Sequence, residues 1–163
     1  MAHGLRPVGL DFVETAPVRL VFTREIAAAP DAVFRALAED VSGWPQWFSA
    51  VTSARATEGG REIRLRGGTR FQESVIAAKA PEMYAYRVDR ANTPGARAWA
   101  EEWRLAPAGT GTLVRLTFAL DGTGLFRAVA RLARPGVGRA LHAALTALDR
   151  RLTGRDPSGP AAA

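Results

Sequence analysis

Ala29-Pro30-Asp31-Ala32-Val33-Phe34, followed by Gly43-Trp44-Pro45-Gln46-Trp47-Phe48, is the stretch whose reading decides the fold. Directly before it the chain alternates. Leu20, Phe22, Arg24 and Ile26 share one face, and Val21, Thr23 and Glu25 the other, as in a strand with one buried side. Proline at the entry and aspartate in the first turn suit a helix start, because proline's missing N–H is spare there and a carboxylate complements the helix dipole. Val33, Phe34 and Leu37 give that helix an apolar side, and Gly43-Trp44-Pro45 is expected to break it. The chain thus opens with a strand, two short helices and a Trp-Pro-x-Trp turn.

Six further strands follow, at 51–57, 61–66, 69–79, 82–89, 97–105 and 112–120, each closed by turn chemistry such as Gly59-Gly60, Gly67-Gly68, Pro81, Pro94-Gly95 or Asp121-Gly122. Connections this short predict an antiparallel meander. From 124 to 152 the pattern is helical but split at Pro135-Gly136. Leu125, Val129 and Leu132 form one stripe, and Val137, Leu141, Leu145, Leu148 and Leu152 a second, out of phase with it. The expectation is a short helix and then a long final one. Residues 1–17 read as a loosely packed leader, 18–153 as one α+β domain, and 154–163 as a disordered Gly/Pro/Ala tail.

Side-chain parity supplies the inner face of the sheet. Phe71, Glu73 and Val75 share a face in one strand and Tyr84, Tyr86 and Val88 in the next. Trp99, Glu101, Trp103 and Leu105 follow, then Val114, Leu116, Phe118 and Leu120. The opposite faces carry Arg70, Gln72, Ser74, Arg87, Asp89, Glu102, Arg104, Arg115 and Thr117 and read as solvated, with Glu102, Arg104 and Arg115 paired across strands. Glu73 and Glu101 break the apolar pattern. A carboxylate buried among aromatic rings gains a raised pKa and suits proton transfer, which makes these two the candidate catalytic residues. The alternative is structural: a position at a strand end, a pair with Arg24 or Arg55, or a bond from a tyrosine hydroxyl. Tyr84, Tyr86, Trp99, Trp103, Phe71, Phe118, Trp44 and Trp47 are candidate walls for a flat apolar ligand, with core packing as the plainer role of each. Leu141 and Leu145 are the helix's contribution. His142 flanks that stripe, either facing the pocket or on the surface.

Without cysteine, disulfides, thiolate nucleophiles and Cys-based metal sites are excluded, and with two histidines no metal site is expected. No cofactor is implied. The formal charge of +6 is almost wholly arginine, Lys79 being the one lysine. This reads as a GC-rich coding bias, and nucleic acid and membrane are set aside as partners. Arg127, Arg131 and Arg134 fall on one helical side and read as a solvated face. No signal peptide and no bilayer-spanning run are expected, which makes the cytoplasm the default location.

The element order, with Ala-Pro-Asp-Ala-Val-Phe at 29–34, Trp44-Pro45-x-Trp47, Pro81 leading into Tyr84-x-Tyr86, and Trp103-x-Leu105 followed by Gly111-Thr112, resembles the SRPBCC (START-like, helix-grip) superfamily over 18–152. Within it the chain is most similar to the polyketide cyclase/dehydrase-like branch, common in actinobacteria. The resemblance implies a curved antiparallel sheet of about seven strands around a long C-terminal helix, with a hydrophobic small molecule held between them. It carries over no catalytic residue. Three functions follow as expectations: binding with cyclisation or dehydration of an aromatic or polyketide-like molecule, non-catalytic carriage of a lipid or isoprenoid, and, last, a basic surface binder.

Overall fold

The computed structural model describes residues 1–154, so the tail expectation lies outside the described residues from 155 onward. Strand β2 (Val18–Ile26) is followed by helix α2 (Pro30–Phe34). A wider π turn over Arg35–Glu39 and a 3₁₀ helix over Val41–Gln46 continue it. The break falls earlier than expected, at Asp40, whose ψ of 63° is not helical; Gly43-Trp44-Pro45 sits inside the second, tighter segment, where Phe48 N–H still bonds Trp44 O at 2.8 Å. Strands β3 (Val51–Thr57), β4 (Gly60–Leu65), β5 (Arg70–Lys79), β6 (Met83–Ala91), β7 (Ala96–Ala108) and β8 (Gly111–Gly122) form the antiparallel meander. The sheet order is β2-β8-β7-β6-β5-β4-β3. Helices α3 (Gly124–Leu132) and α4 (Arg134–Thr153) complete an α+β helix-grip fold, with the helix division at the expected proline.

The core lies between the concave sheet face and α4. Leu141, Ala144, Leu145 and Leu148 are the buried face of α4, at the i, i+3, i+4, i+7 spacing of one helical side. Asp149 pins the C-terminal half of α4 to the end of β2, accepting from Ala27 N–H at 3.0 Å and Ala28 N–H at 2.8 Å. The first turns have no such anchor in the core: Arg134, Pro135, Gly136, Arg139 and Ala140 are exposed.

Three expectations are corrected. The first seventeen residues are not loose. Strand β1 (His3–Gly4) pairs with β6, His3 Nε2 bonds Ala96 O at 2.9 Å, and helix α1 (Phe12–Thr15) buries Phe12 and Val13. Second, the outer sheet face is only partly solvated. Ala98, Ala100 and Ala119 are closed off beneath Val8, Phe12 and Val13, and Glu102 and Thr117 are buried. Parity assigns a residue to a face but not what covers that face; alanines let a second layer approach. Glu102 pairs with Arg104 along the same strand at 2.8 Å, not with Arg115. Third, Val75 stands 38% exposed, beside a register shift in the β5–β6 ladder.

Candidate functional site

Two polar pairs stand on the otherwise apolar concave face, each built by cross-strand register. Arg61 faces Glu73 across β4–β5, and Tyr86 faces Glu101 across β6–β7. Arg61 Nε donates to Glu73 Oε2 at 2.5 Å, with the two side chains 2% and 3% exposed. The guanidinium is held between two rings, its Cζ 4.1 Å from the Trp44 centroid and 4.0 Å from that of Tyr86, a favourable cation–π geometry. Trp44 is itself fixed by its indole N–H on Leu37 O at 3.1 Å. The Tyr86 hydroxyl donates to Glu101 Oε2 and accepts from Trp103 Nε1 at 3.1 Å, while Trp99 Nε1 donates to Glu101 Oε1 at 2.9 Å. Among the described residues Arg61 Nη1 is buried with no hydrogen-bond partner.

Burial dominates the electrostatics. It raises Glu73 from 4.5 to about 7, against the pull of Arg61, and the charge of Glu101 adds to the rise. Glu101 is raised by burial too, with the bonds from Tyr86 and Trp99 opposing. Burial also holds the Tyr86 phenol well above its ordinary value. For Arg61 burial disfavours the charge, but the charge of Glu73 and its hydrogen bond oppose this and the guanidinium stays protonated. The site therefore offers one fixed cation, two carboxyl groups that readily keep a proton, and one phenol that stays neutral.

These groups line an inner chamber of about 240 Å³, walled by Trp44, Phe71, Trp99, Trp103, Phe118 and Leu141 among others. Next to it an apolar outer chamber of about 460 Å³ lies beneath α3, between Leu20, Leu120, Phe126 and the Thr93-Pro94-Gly95 loop. Trp99, Phe118 and Val137 belong to both. The loop seats closely on the start of α3: a Cβ at Gly122 would stand 2.3 Å from Gly95 O and 2.4 Å from the Phe126 ring. Thr93 Oγ1 is buried there, unpartnered among the described residues.

Of the residues expected at the site, Glu73, Glu101, Tyr86, Trp99, Trp103, Phe71, Trp44, Phe118 and Leu141 line the inner chamber. Tyr84 is buried behind it, its ring 5.7 Å from the Arg61 Cζ. Trp47 backs Trp44 at 4.8 Å and does not reach the chamber. His142 is exposed and, with Leu145, borders a separate groove against β2. There Arg24 binds the His142 carbonyl and Thr146 Oγ1, and Arg55 pairs with Glu62, so neither arginine serves a chamber glutamate. Sequence reading missed Arg61. Its signal was present: Arg61 is in phase with Ile63 and Leu65, and Glu62 and Arg64 with the other face. Among the described residues no three His, Asp or Glu side chains gather as a metal site, and no helix is long and apolar enough to cross a membrane.

The family described as polyketide cyclase / dehydrase and lipid transport matches residues 17–153. The chain belongs to this family. Uncharacterised proteins of Mycobacterium tuberculosis and Mycobacterium bovis are 30% identical to it over 150 residues, covering 88% of this chain and 89% of theirs. Among solved structures, a START superfamily protein from Mycobacterium smegmatis superposes with a TM-score of 0.64 at 14% identity, over 83% of this chain and 97% of that one. The Bacillus cereus protein XoxI gives 0.68 at 16%, over 83% and 96%. At these identities the two structures speak for the fold alone. Family and fold together support hydrophobic ligand binding for this polyketide cyclase/dehydrase-family chain.

Proposed function

We propose that the chain binds an aromatic or polyketide-like molecule across the two chambers, with an acceptor oxygen of that ligand placed on Arg61. The observation that carries this reading is Arg61 Nη1, a charged donor that is buried and, among the described residues, unpartnered at the largely aromatic inner chamber. A buried donor without a partner is costly, and a ligand carbonyl, enolate or carboxylate would satisfy it. The flat walls favour a planar or folded chain, and holding such a chain in one conformer is itself catalytic for ring closure.

The cyclisation reading assigns the proton to Glu101. Its carboxylate removes a proton from a methylene between two carbonyls, and Arg61 holds the enolate oxygen. The carbanion adds to a second carbonyl carbon, which closes the ring, and the new alkoxide takes the proton back from Glu101; loss of that hydroxyl with the remaining α-hydrogen, as water, leaves a ring double bond. Glu73 keeps Arg61 charged and in place. Glu101→Gln, with the fold preserved, should abolish conversion of a poly-β-ketone substrate while leaving its binding within a few-fold; unchanged conversion sinks the mechanism.

A carrier of a lipid or isoprenoid is the second reading. It is favoured by one observation: both oxygens of Glu101 already accept a bond, from Tyr86 and from Trp99. Denaturing extraction of the freshly purified protein separates the two, since a tight carrier retains its apolar cargo and an enzyme releases its product.

A further inference from the structure

Among the described residues, nothing covers the outer side of the stripe formed by Leu125, Val129 and Leu132. The three are 77%, 54% and 81% exposed, while Phe126 and Ala130 turn inward to the sheet. We propose that this face of α3 docks on an anionic phospholipid surface. Three observations select that occupant. The first is apolar geometry: positions i, i+4 and i+7 lie along one side of the helix and present a continuous ridge to the solvent, the form that enters the headgroup–acyl boundary.

The second is charge. From Gly122 to Leu148 there is no acidic residue, while Arg127, Arg131, Arg134 and Arg139 lie on or beside the same helix. Arg127 and Arg131 are each offset by two residues from Leu125 and Val129, so on α3 the cations lie on the polar side and the apolar ridge on the other, and Arg134 and Arg139 follow on the first turns of α4. Arg131 and Arg134 are steadied beside the sheet by single bonds to Pro17 O and Val21 O, and a guanidinium has five N–H groups to share with phosphates. A nucleic acid would use the arginines and leave the leucines in water.

The third is the chamber. Leu125 and Val129 also line the outer chamber, so docking would set its opening against the acyl layer, where an apolar ligand can pass without crossing water. Docking itself needs only the ridge and the arginines and is tested without ligand.

The test is flotation of the full-length chain with vesicles of phosphatidylcholine, with or without phosphatidylglycerol, at low and physiological salt. The expected result is capture by the phosphatidylglycerol vesicles and roughly tenfold weaker capture by phosphatidylcholine alone. The pair Leu125→Ser/Leu132→Ser should lose roughly tenfold or more, since two leucines no longer leave water. Arg139→Gln and Arg131→Gln should each lose about fivefold on the anionic vesicles only. Circular dichroism matching the parent's keeps the comparison fair, and such exposed positions tolerate the change. Three results overturn the proposal: no capture by anionic vesicles at low salt; capture that the serine pair retains; or self-association in sedimentation that the serine pair abolishes. The second would show arginines meeting any polyanion, and the third that a second copy covers the ridge. None of these bears on whether the chamber holds a ligand.

Discussion

Trp99 gives its indole N–H to Glu101 at 2.9 Å, and its ring packs on Phe126 of α3 with centroids 6.2 Å apart. One side chain thus joins a buried carboxylate to the helix that roofs the outer chamber. Trp99→Phe keeps an aromatic wall and removes the donor. Glu101 then keeps only the bond from Tyr86, so its pKa should rise further, because the lost bond favoured the charged form. Stability should fall by about 1.5–3 kcal/mol for one lost bond to a buried charged group. The titration of the Glu101 carboxyl carbon by NMR checks the direction; an unmoved titration would mean that the indole does not govern this group.

Arg61 should matter more. Arg61→Met removes the charge but keeps much of the stem that lies between Trp44 and Tyr86. Glu73 is left buried and alone, and breaking such a pair from one side typically costs about 3–5 kcal/mol. The loss should be smaller near pH 5.5 than near pH 8, about the span in which Glu73 can take up a proton instead. Adding Glu73→Leu should recover most of the stability, because no unpaired charge remains. Urea unfolding of the three proteins decides it; a single variant as stable as the parent at high pH would contradict the buried pair.

The parent protein should itself respond to pH in this window. Glu73 stands at about 7 when folded against 4.5 for a solvent-exposed glutamate, burial being the main cause. Between those values the folded state holds a proton that the unfolded state has released, so stability falls as pH rises through the window and levels off above it. Glu101, raised in the same sense, adds to the slope. The urea midpoint should therefore be higher near pH 5.5 than near pH 7.5, and Glu73→Gln should flatten the difference. A midpoint that climbs over this range would mean that the ion pair, not burial, sets the proton affinity.

The strands and the helix break were legible because period and punctuation are local. Leu20/Phe22/Ile26 alternates, and Pro135 can only open a helix or divide one. Glu73 and Glu101 stood out for the same reason, as carboxylates in phase with rings. Arg61 was overlooked because Arg-Glu-Ile-Arg-Leu at 61–65 has charge on both faces; its phase with Ile63 and Leu65 marks it as the inner arginine, and the register opposite Glu73 gives it a partner. His142 misled because a helix flank can turn either way, and the packing of α4 on β2 left it outside. What covers a face is a tertiary matter. Parity could not foresee that the N-terminal segment would cover Ala98 and Ala100, nor that none of the described residues would cover Leu125 and Leu132.

The N-terminal segment should accordingly be structural. Phe12 and Val13 close over Ala98, Ala100 and Ala119, alanines on adjacent strands that leave room for no larger side chain beneath α1. Phe12→Ala should cost about 3 kcal/mol through lost burial and the void it leaves. Ala100→Leu should cost about 1–3 kcal/mol for the opposite reason, since a side chain of that size must displace α1. The two effects should not add: once α1 is lifted by the leucine, Phe12 has less burial left to lose, so the double variant should be more stable than the sum of the losses. Thermal unfolding of the four proteins measures this. Full additivity, or a Phe12→Ala variant as stable as the parent, would place the segment off the sheet.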